Sequence, residues 1–255
     1  MPMSGWITAQ WPAPTGVHAL TTTRDGDGVS VAPFDRFNMG NCASPTGDDP
    51  QAVQVNRERL QVQAKLPSAP FWLKQVHGIE VVELQRMDQL NDLPTADAAF
   101  TREPNLVISI QTADCLPVLL TDRHGTVVGG AHAGWRSLAA GVIERTVEAM
   151  QVPASDLLVW LGPAAGPQHY EIGVDVFDAF VSQDWKAASA FKCSRDDHWY
   201  VDLYALARLR LATLGVRADQ IHGGDLCTIA DANRFYSHRR DQRTGRMASL
   251  IWRCA

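Results

Sequence analysis

Hydrophobic residues recur at helical spacing in four stretches of the chain and at strand spacing in several more. In SLAAGVIERTVEAM (137–150), Leu138, Val142, Ile143 and Val147 share one helical face, and GVDVFDAFV (173–181) repeats the pattern. VDLYALARLRLATLG (201–215) reads as a helix that opens at a capping Asp202 and stops at Gly215. A fourth helix starts at Asp49-Pro50, with Val53, Leu60 and Leu66 supplying part of its apolar face. Between the helices lie short β-rich runs: APFWLKQV, IEVVEL, LVISIQ, LPVLLTD, TVVGGAHA and LLVWLGP. Residues 25–50 are rich in Gly, Asp and Pro but keep interspersed hydrophobics, which predicts an ordered loop.

Strands outnumber helices in the first two thirds and do not alternate singly with them. The pattern therefore predicts an α+β fold, with mixed layered β-sheets and flanking helices, over a doubly wound Rossmann sheet. No GxGxxG opens a helix, no GxxxxGK[ST] occurs and no internal repeat is visible, so the usual phosphate loops of nucleotide-binding proteins are not supported.

At 255 residues, 45% of them hydrophobic, one domain spanning 1–255 is expected. The net charge of −5 offers no basic field for a polyanion, and the dense basic cluster HRRDQRTGR (238–246) is short, so no nucleic-acid partner is expected. No run approaches the roughly 20 apolar residues of a membrane span, and the N-terminus lacks a basic segment followed by an apolar one, which predicts a cytoplasmic protein away from membranes. No heptad asks for a partner, so a monomer is expected. Five cysteines, at 42, 115, 193, 227 and 254, make an odd count without a CxxC pair. Neither a disulfide framework nor a structural zinc knuckle is written here, and any metal site must be assembled from distant segments.

Three segments share one form: an apolar run ends, and a chemically capable residue follows beside glycine or acid. They are FWLKQVHG with His77, VISIQTADC with Cys115, and VVGGAHAGWR with His132. Imidazole and thiolate are the side chains that zinc prefers, and two His plus one Cys leave a fourth tetrahedral position open for water or substrate. Taken singly, such a histidine is more often a satisfied or surface one and such a cysteine more often packed than reactive. Gly78, Gly129, Gly130 and Gly134 strip side chains from around the histidines, which makes sense where a ligand or another backbone approaches closely. Asp114, beside Cys115, could orient a histidine ligand or shuttle a proton, or could cap a turn.

The segments TTTRDGDGVS, FNMGN, KQVHG, TADCLPVLL, AHAGWRSLAAGV, LGPAAGPQHYEIG, DLCT and FYSHRRDQRTGR resemble, in order and sense, the YfiH family of laccase-domain proteins, once labelled multicopper polyphenol oxidases. The resemblance runs from about Thr21 to Ile251. It implies the α+β fold shared with the catalytic domain of cytotoxic necrotizing toxins, and a zinc-type site whose ligands match His77, Cys115 and His132, with copper as the alternative metal. It also implies purine nucleoside chemistry: phosphorolysis of adenosine, inosine and methylthioadenosine, with adenosine deamination at the same site. Some members are described instead as peptidoglycan editing factors. This sequence departs from the pattern at Ser137, at Gln168 and by an extra Asp in RDGDGVS; none of these touches the three ligand positions.

Phosphorolysis requires an anion held near the anomeric carbon, for which Arg24, Asn38, Arg136, His238, Arg239 and Arg240 are the candidates. Arg239 and Arg240 could equally pair with Asp241 on a solvated loop. Gln75 would face the same side of a strand as His77 and could bind substrate, and Trp72, Trp135 and Tyr170 could stack on a purine or fill the core. A rival mechanism keeps the residues without metal: Cys115 as nucleophile and His132 as its base, in a cysteine hydrolase or amidase. Multicopper oxidation is disfavoured, because eight histidines without a single HxH pair cannot assemble coupled copper centres.

Overall fold

Two β-sheets lie face to face, with helices on both outer surfaces, in a computed structural model that describes residues 5–40, 42, 45–85 and 93–255. The strands are β1 (Trp6–Thr8), β2 (Val17–Thr22), β3 (Pro70–Phe71), β4 (Val81–Glu83), β5 (Ala98–Thr101), β6 (Val107–Thr112), β7 (Leu116–Asp122), β8 (Val128–Ala133), β9 (Leu157–Leu161), β10 (Glu171–Gly173), β11 (Phe191–Arg195), β12 (His198–Val201), β13 (Ile221–Gly223) and β14 (Met247–Arg253). The helices are α1 (Pro50–Gln63), α2 (Trp135–Ala140), α3 (Val142–Met150), α4 (Val174–Val181), α5 (Leu203–Thr213) and α6 (His238–Asp241). A five-stranded sheet has the order β1-β2-β14-β6-β3, and a six-stranded sheet the order β13-β9-β7-β8-β5-β4. Strands β10, β12 and β11 form a small third sheet. Parallel and antiparallel pairs mix within the two large sheets, so the expected α+β, mixed-sheet architecture is what the chain adopts.

The two-residue period of a strand sorts neighbouring side chains into different cores. Ile108, Ile110 and Ile251 from one sheet meet Ala99, Leu119 and Val128 from the other. Val107 and Leu250, one residue out of step, point the opposite way and pack with Leu60 and Leu66 against α1. On the far side, Leu116, Val118, Leu120 and Ala131 pack with Ile143, Val176, Leu206 and other residues of the helical layer. Each fully buried aliphatic side chain contributes roughly 1.5–3 kcal/mol relative to exposure.

Helix α1 starts where the sequence placed it, with Pro50 in its first turn and Asp49 accepting from the Gln51 N–H. Helix α5 likewise opens at Asp202, whose side chain accepts from the Ala205 N–H. The single helix predicted over 137–150 is two, because Gly141 takes a left-handed φ of +96° that ends α2 and starts α3. The runs at 69–76 and 79–84 shrink to short strands, while β2, β5 and β14, absent from the sequence reading, complete the sheets. The loop at 25–50 is ordered: Asn56 of α1 accepts from the Val29 N–H and donates to Ser30, Arg36 and Asn38. Asn41, Ala43 and Ser44 of that stretch lie outside the described residues. No helix among the described residues is long and apolar enough to cross a membrane.

The glycines of β8 serve the sheets and not a ligand. A Cβ on Gly130 would lie 3.0 Å from Ile110 and 3.4 Å from both Ile108 and Leu119, and one on Gly129 would lie 2.8 Å from the Met150 sulfur. Gly130→Val should therefore overpack the layer between the sheets, costing ~1–3 kcal/mol and lowering the urea midpoint without changing the slope of the transition.

Candidate functional site

Three segments converge at one end of the six-stranded sheet. Cys115 sits in the tight turn between β6 and β7, His132 lies on β8 paired with Pro117 of β7, and His77 occupies the turn before β4 with a left-handed φ of +62°. The ligand atoms of His77, Cys115 and His132 all lie within 4.8 Å of one another, with His77 Nε2 3.7 Å from Cys115 Sγ. The two imidazole rings meet edge to face at 4.8 Å. Gly134 permits the approach, since a Cβ there would lie 2.9 Å from both Cys115 Sγ and His77 Cδ2. Of the four glycines singled out in the sequence, this one touches the site directly.

One carboxylate holds two of the three residues, one by its ring and one by its backbone. Asp97, at the foot of β5 with a side chain 0% exposed, accepts from His132 Nδ1 at 2.8 Å. The same carboxylate accepts from the backbone N–H groups of Val76 (3.1 Å), His77 (2.9 Å) and Gly78 (2.7 Å). A carboxylate here can only accept, so Nδ1 carries a proton, and Nε2 is the His132 atom that would bind a metal once the ring has lost its second proton. Burial alone would push the Asp97 carboxyl up, but the bond from His132 and the N–H groups of Gly78 and Val76 hold it below the usual range. Asp97 was missed in the sequence, although a signal was present: Thr-Ala-Asp occurs twice, at 95–97 and at 112–114.

Electrostatics favour charge on the ligands. Burial opposes the Cys115 thiolate, yet the charge of His132 and hydrogen bonds from both histidines bring its pKa down to about 6. Burial likewise opposes the His132 cation, but the charge of Cys115 and the bond to Asp97 raise it to about 9. A borderline-soft donor set of two imidazoles and one thiolate is chemically suited to zinc, and tetrahedral bonds of about 2.0–2.3 Å place ligand atoms ~3.5 Å apart. The 3.7 Å sulfur–nitrogen pair is close to that spacing, so the group could hold a metal ion.

Beside the three ligands opens a cleft of ≈ 220 Å³, lined by Trp135, Arg136, Tyr170, His238 and Arg239. The Arg136 guanidinium lies 4.2 Å over the Trp135 ring and that of Arg239 4.8 Å over the Tyr170 ring. Neither makes an ion pair with a carboxylate among the described residues. Arg239 also donates to the Glu171 carbonyl, and His238 Nδ1 lies 2.7 Å from the Gln242 carbonyl oxygen. Burial and then the charge of Cys115 push the Tyr170 phenol up to about 12, against the pull of Arg239, so it remains a proton donor.

Asp114 does not orient a histidine. Its carboxylate accepts from Thr228 Oγ1 at 2.6 Å, from Ser237 Oγ at 3.0 Å and from the Arg239 N–H at 2.6 Å. It thereby docks the segment carrying His238 and Arg239 onto the Cys115 turn, and the carboxylate bonded to a ligand imidazole is that of Asp97.

Four other candidates are engaged elsewhere. Arg24 lines a separate groove with Asp35 and Arg36 and pairs with Asp35. Asn38 is fully buried, donating to Asp48 and accepting from the Gly40 and Arg246 N–H groups. The Gln75 amide exchanges two bonds with the Gln111 backbone. The Arg240 guanidinium is consumed by Asp241 and the carbonyls of Thr228, Ile229 and Phe235. Of the aromatic candidates, Trp72 lies under Arg57 and packs in the core beneath α1, away from the cleft.

Fold and site together define a class. Residues 18–254 match the family described as multi-copper polyphenol oxidoreductase laccase, and the chain belongs to that family, the YfiH laccase-domain proteins. It is 56% identical over 251 residues to a purine nucleoside phosphorylase of Xylella fastidiosa, covering 97% of this chain and 96% of the relative. It is 48% identical over 250 residues to purine nucleoside phosphorylase YfiH of Escherichia coli, covering 98% and 99%. A crystal structure of a Neisseria meningitidis protein superposes with a TM-score of 0.91 at 45% identity, covering 98% of this chain and 100% of that one.

Asp97→Asn removes one acceptor oxygen from a carboxylate whose two oxygens serve four donors. The variant should fold but bind zinc roughly 10–100-fold more weakly in chelator competition, the loss typical when a ligand's outer partner is removed.

Proposed function

We propose that the chain is a zinc-dependent purine nucleoside phosphorylase, converting adenosine, inosine or methylthioadenosine plus phosphate to the free base and a pentose 1-phosphate. The observation that carries this reading is the pair of guanidiniums, Arg136 and Arg239, each laid on an aromatic ring and neither in an ion pair with a carboxylate among the described residues, facing one cleft beside three metal-ligand side chains. Such a cleft suits an anion and a flat ring together. The high identity to proteins named purine nucleoside phosphorylase supports the same assignment.

In this reading Arg136, Arg239 and His238 bind phosphate and hold an oxygen against the anomeric carbon. The C–O bond forms as the glycosidic C–N bond breaks, and the departing base takes up a proton. Trp135 and Tyr170 orient the purine between them, and the Tyr170 phenol supplies a hydrogen bond. His77, Cys115 and His132 hold the zinc, which when bound contributes Lewis acidity. Asp97 keeps His132 in the tautomer that presents Nε2. Adenosine deamination uses the same cleft, with water in place of phosphate and the exocyclic amine as leaving group. The location expected for this chemistry is the cytoplasm, where nucleosides and phosphate meet.

A second reading draws on the 3.7 Å contact between the Cys115 sulfur and an imidazole: a metal-free cysteine hydrolase or amidase acting on misloaded peptidoglycan precursors. Metal analysis run with a phosphate-dependent assay of hypoxanthine release from inosine separates the two. Zinc near one per chain, lost together with phosphorolysis in Cys115→Ala, is the expected result. Activity in metal-free protein would overturn it in favour of the thiol nucleophile. In the same assay Arg136→Ala should raise the KM for phosphate about 10-fold or more, with a smaller effect on the KM for inosine, as expected for loss of a charge-assisted contact worth roughly 1.5–3 kcal/mol.

A further inference from the structure

A second cysteine–histidine pair lies outside the three-ligand group. Cys227 Sγ is 3.6 Å from His169 Nδ1. Two backbone N–H groups from different segments also donate to the same sulfur, Gly166 at 3.3 Å and Ala230 at 3.4 Å. Gly166 makes this close approach possible, because a Cβ there would lie 2.9 Å from the Cys227 Cβ and Sγ. The side chains are within reach of solvent: Cys227 is partly exposed and His169 exposed.

A neutral thiol beside two N–H donors has, in the His169 ring 3.6 Å away, a described neighbour that can take its proton. Transfer of that proton leaves the sulfur facing two donors aimed at the charge that develops on it, with no side-chain movement required. The other cysteine with a described side-chain contact on the surface, Cys193, is exposed and reaches only the Arg195 carbonyl, at 3.8 Å. It has neither a base nor converging donors, and it serves as an internal standard.

We propose that Cys227, activated by His169, is a thiol-modification site that takes low-molecular-weight disulfides. The Cys227 sulfur attacks one sulfur of the disulfide, a mixed disulfide forms and the original S–S bond breaks. The leaving sulfur carries away the proton first passed to His169, so one thiol and one disulfide give one thiol and one mixed disulfide. The site adjoins the cleft through the chain: Thr228, the next residue, donates to Asp114, and Tyr170, next to His169, lines the cleft wall. An adduct on Cys227 is thus placed against the segment that Asp114 docks.

The test is incubation of the zinc-loaded full chain with glutathione disulfide at neutral pH, followed by peptide mapping over time. Cys227 should acquire the adduct at least about ten-fold faster than Cys193 in the same molecules, and His169→Ala should bring its rate close to that of Cys193. Modification of Cys193 as fast as Cys227, or a Cys227 rate unchanged by His169→Ala, overturns the proposal. The comparison of two cysteines within wild-type protein requires no variant, so a folding defect in His169→Ala leaves the first arm decisive.

Discussion

The Asp97 carboxylate is the interaction on which the site depends. It takes the Nδ1 proton of His132 from the neighbouring strand and three consecutive backbone N–H groups of the 76–78 turn. Those bonds fix one imidazole by its ring and the other by its backbone, and so convert two residues 55 positions apart in sequence into a pair with ring centroids 4.8 Å apart. A buried carboxylate without such donors would be costly. Satisfied four times over, it ties both ligands to the end of the six-stranded sheet, where side-chain positions are better defined than on free loops.

Asp114 plays the corresponding part for the segment that lines the cleft with His238 and Arg239. Three donors from the 228–239 segment end on its carboxylate, which makes the position of His238 and Arg239 a consequence of the turn that carries Cys115. Half-buried Arg246 interacts electrostatically with Cys115 and Asp114; burial lowers its pKa and the two acidic groups work against that. The wall that binds substrate in the proposed mechanism and the turn that supplies the thiolate are therefore one hydrogen-bonded unit.

Much of the architecture was legible because local rules and tertiary packing agree. Helix α1 has both its proline start and its Asp49 cap, and α5 its Asp202 cap, so their first turns are specified within a few residues. β7 reads as an apolar run because both of its faces are covered, one by the other sheet and one by helices. Strands β2 and β14 were not read, and they sit beside each other in the middle of the five-stranded sheet, between β1 and β6. Their polar positions, such as Thr21 and Ser249, are satisfied by each other across the strands at 2.7 Å, a pairing that no local window contains.

What the sequence determined by itself was the chemistry available: two histidines and a cysteine at the ends of apolar runs, next to small residues, in motifs that resemble one family. What only the tertiary structure decided was which polar groups were free to act. Arg136 and Arg239 face the cleft, while Arg24 and Arg240, alike in type and sequence setting, are spent on Asp35 and Asp241. Asp97 and Asp114 each follow Thr-Ala, yet one holds a histidine and the other a loop. The physical reason is that a side chain's identity sets which hydrogen bonds it can make, whereas the partners that exhaust them come from segments up to 228 residues away, brought within reach only when the sheets pack.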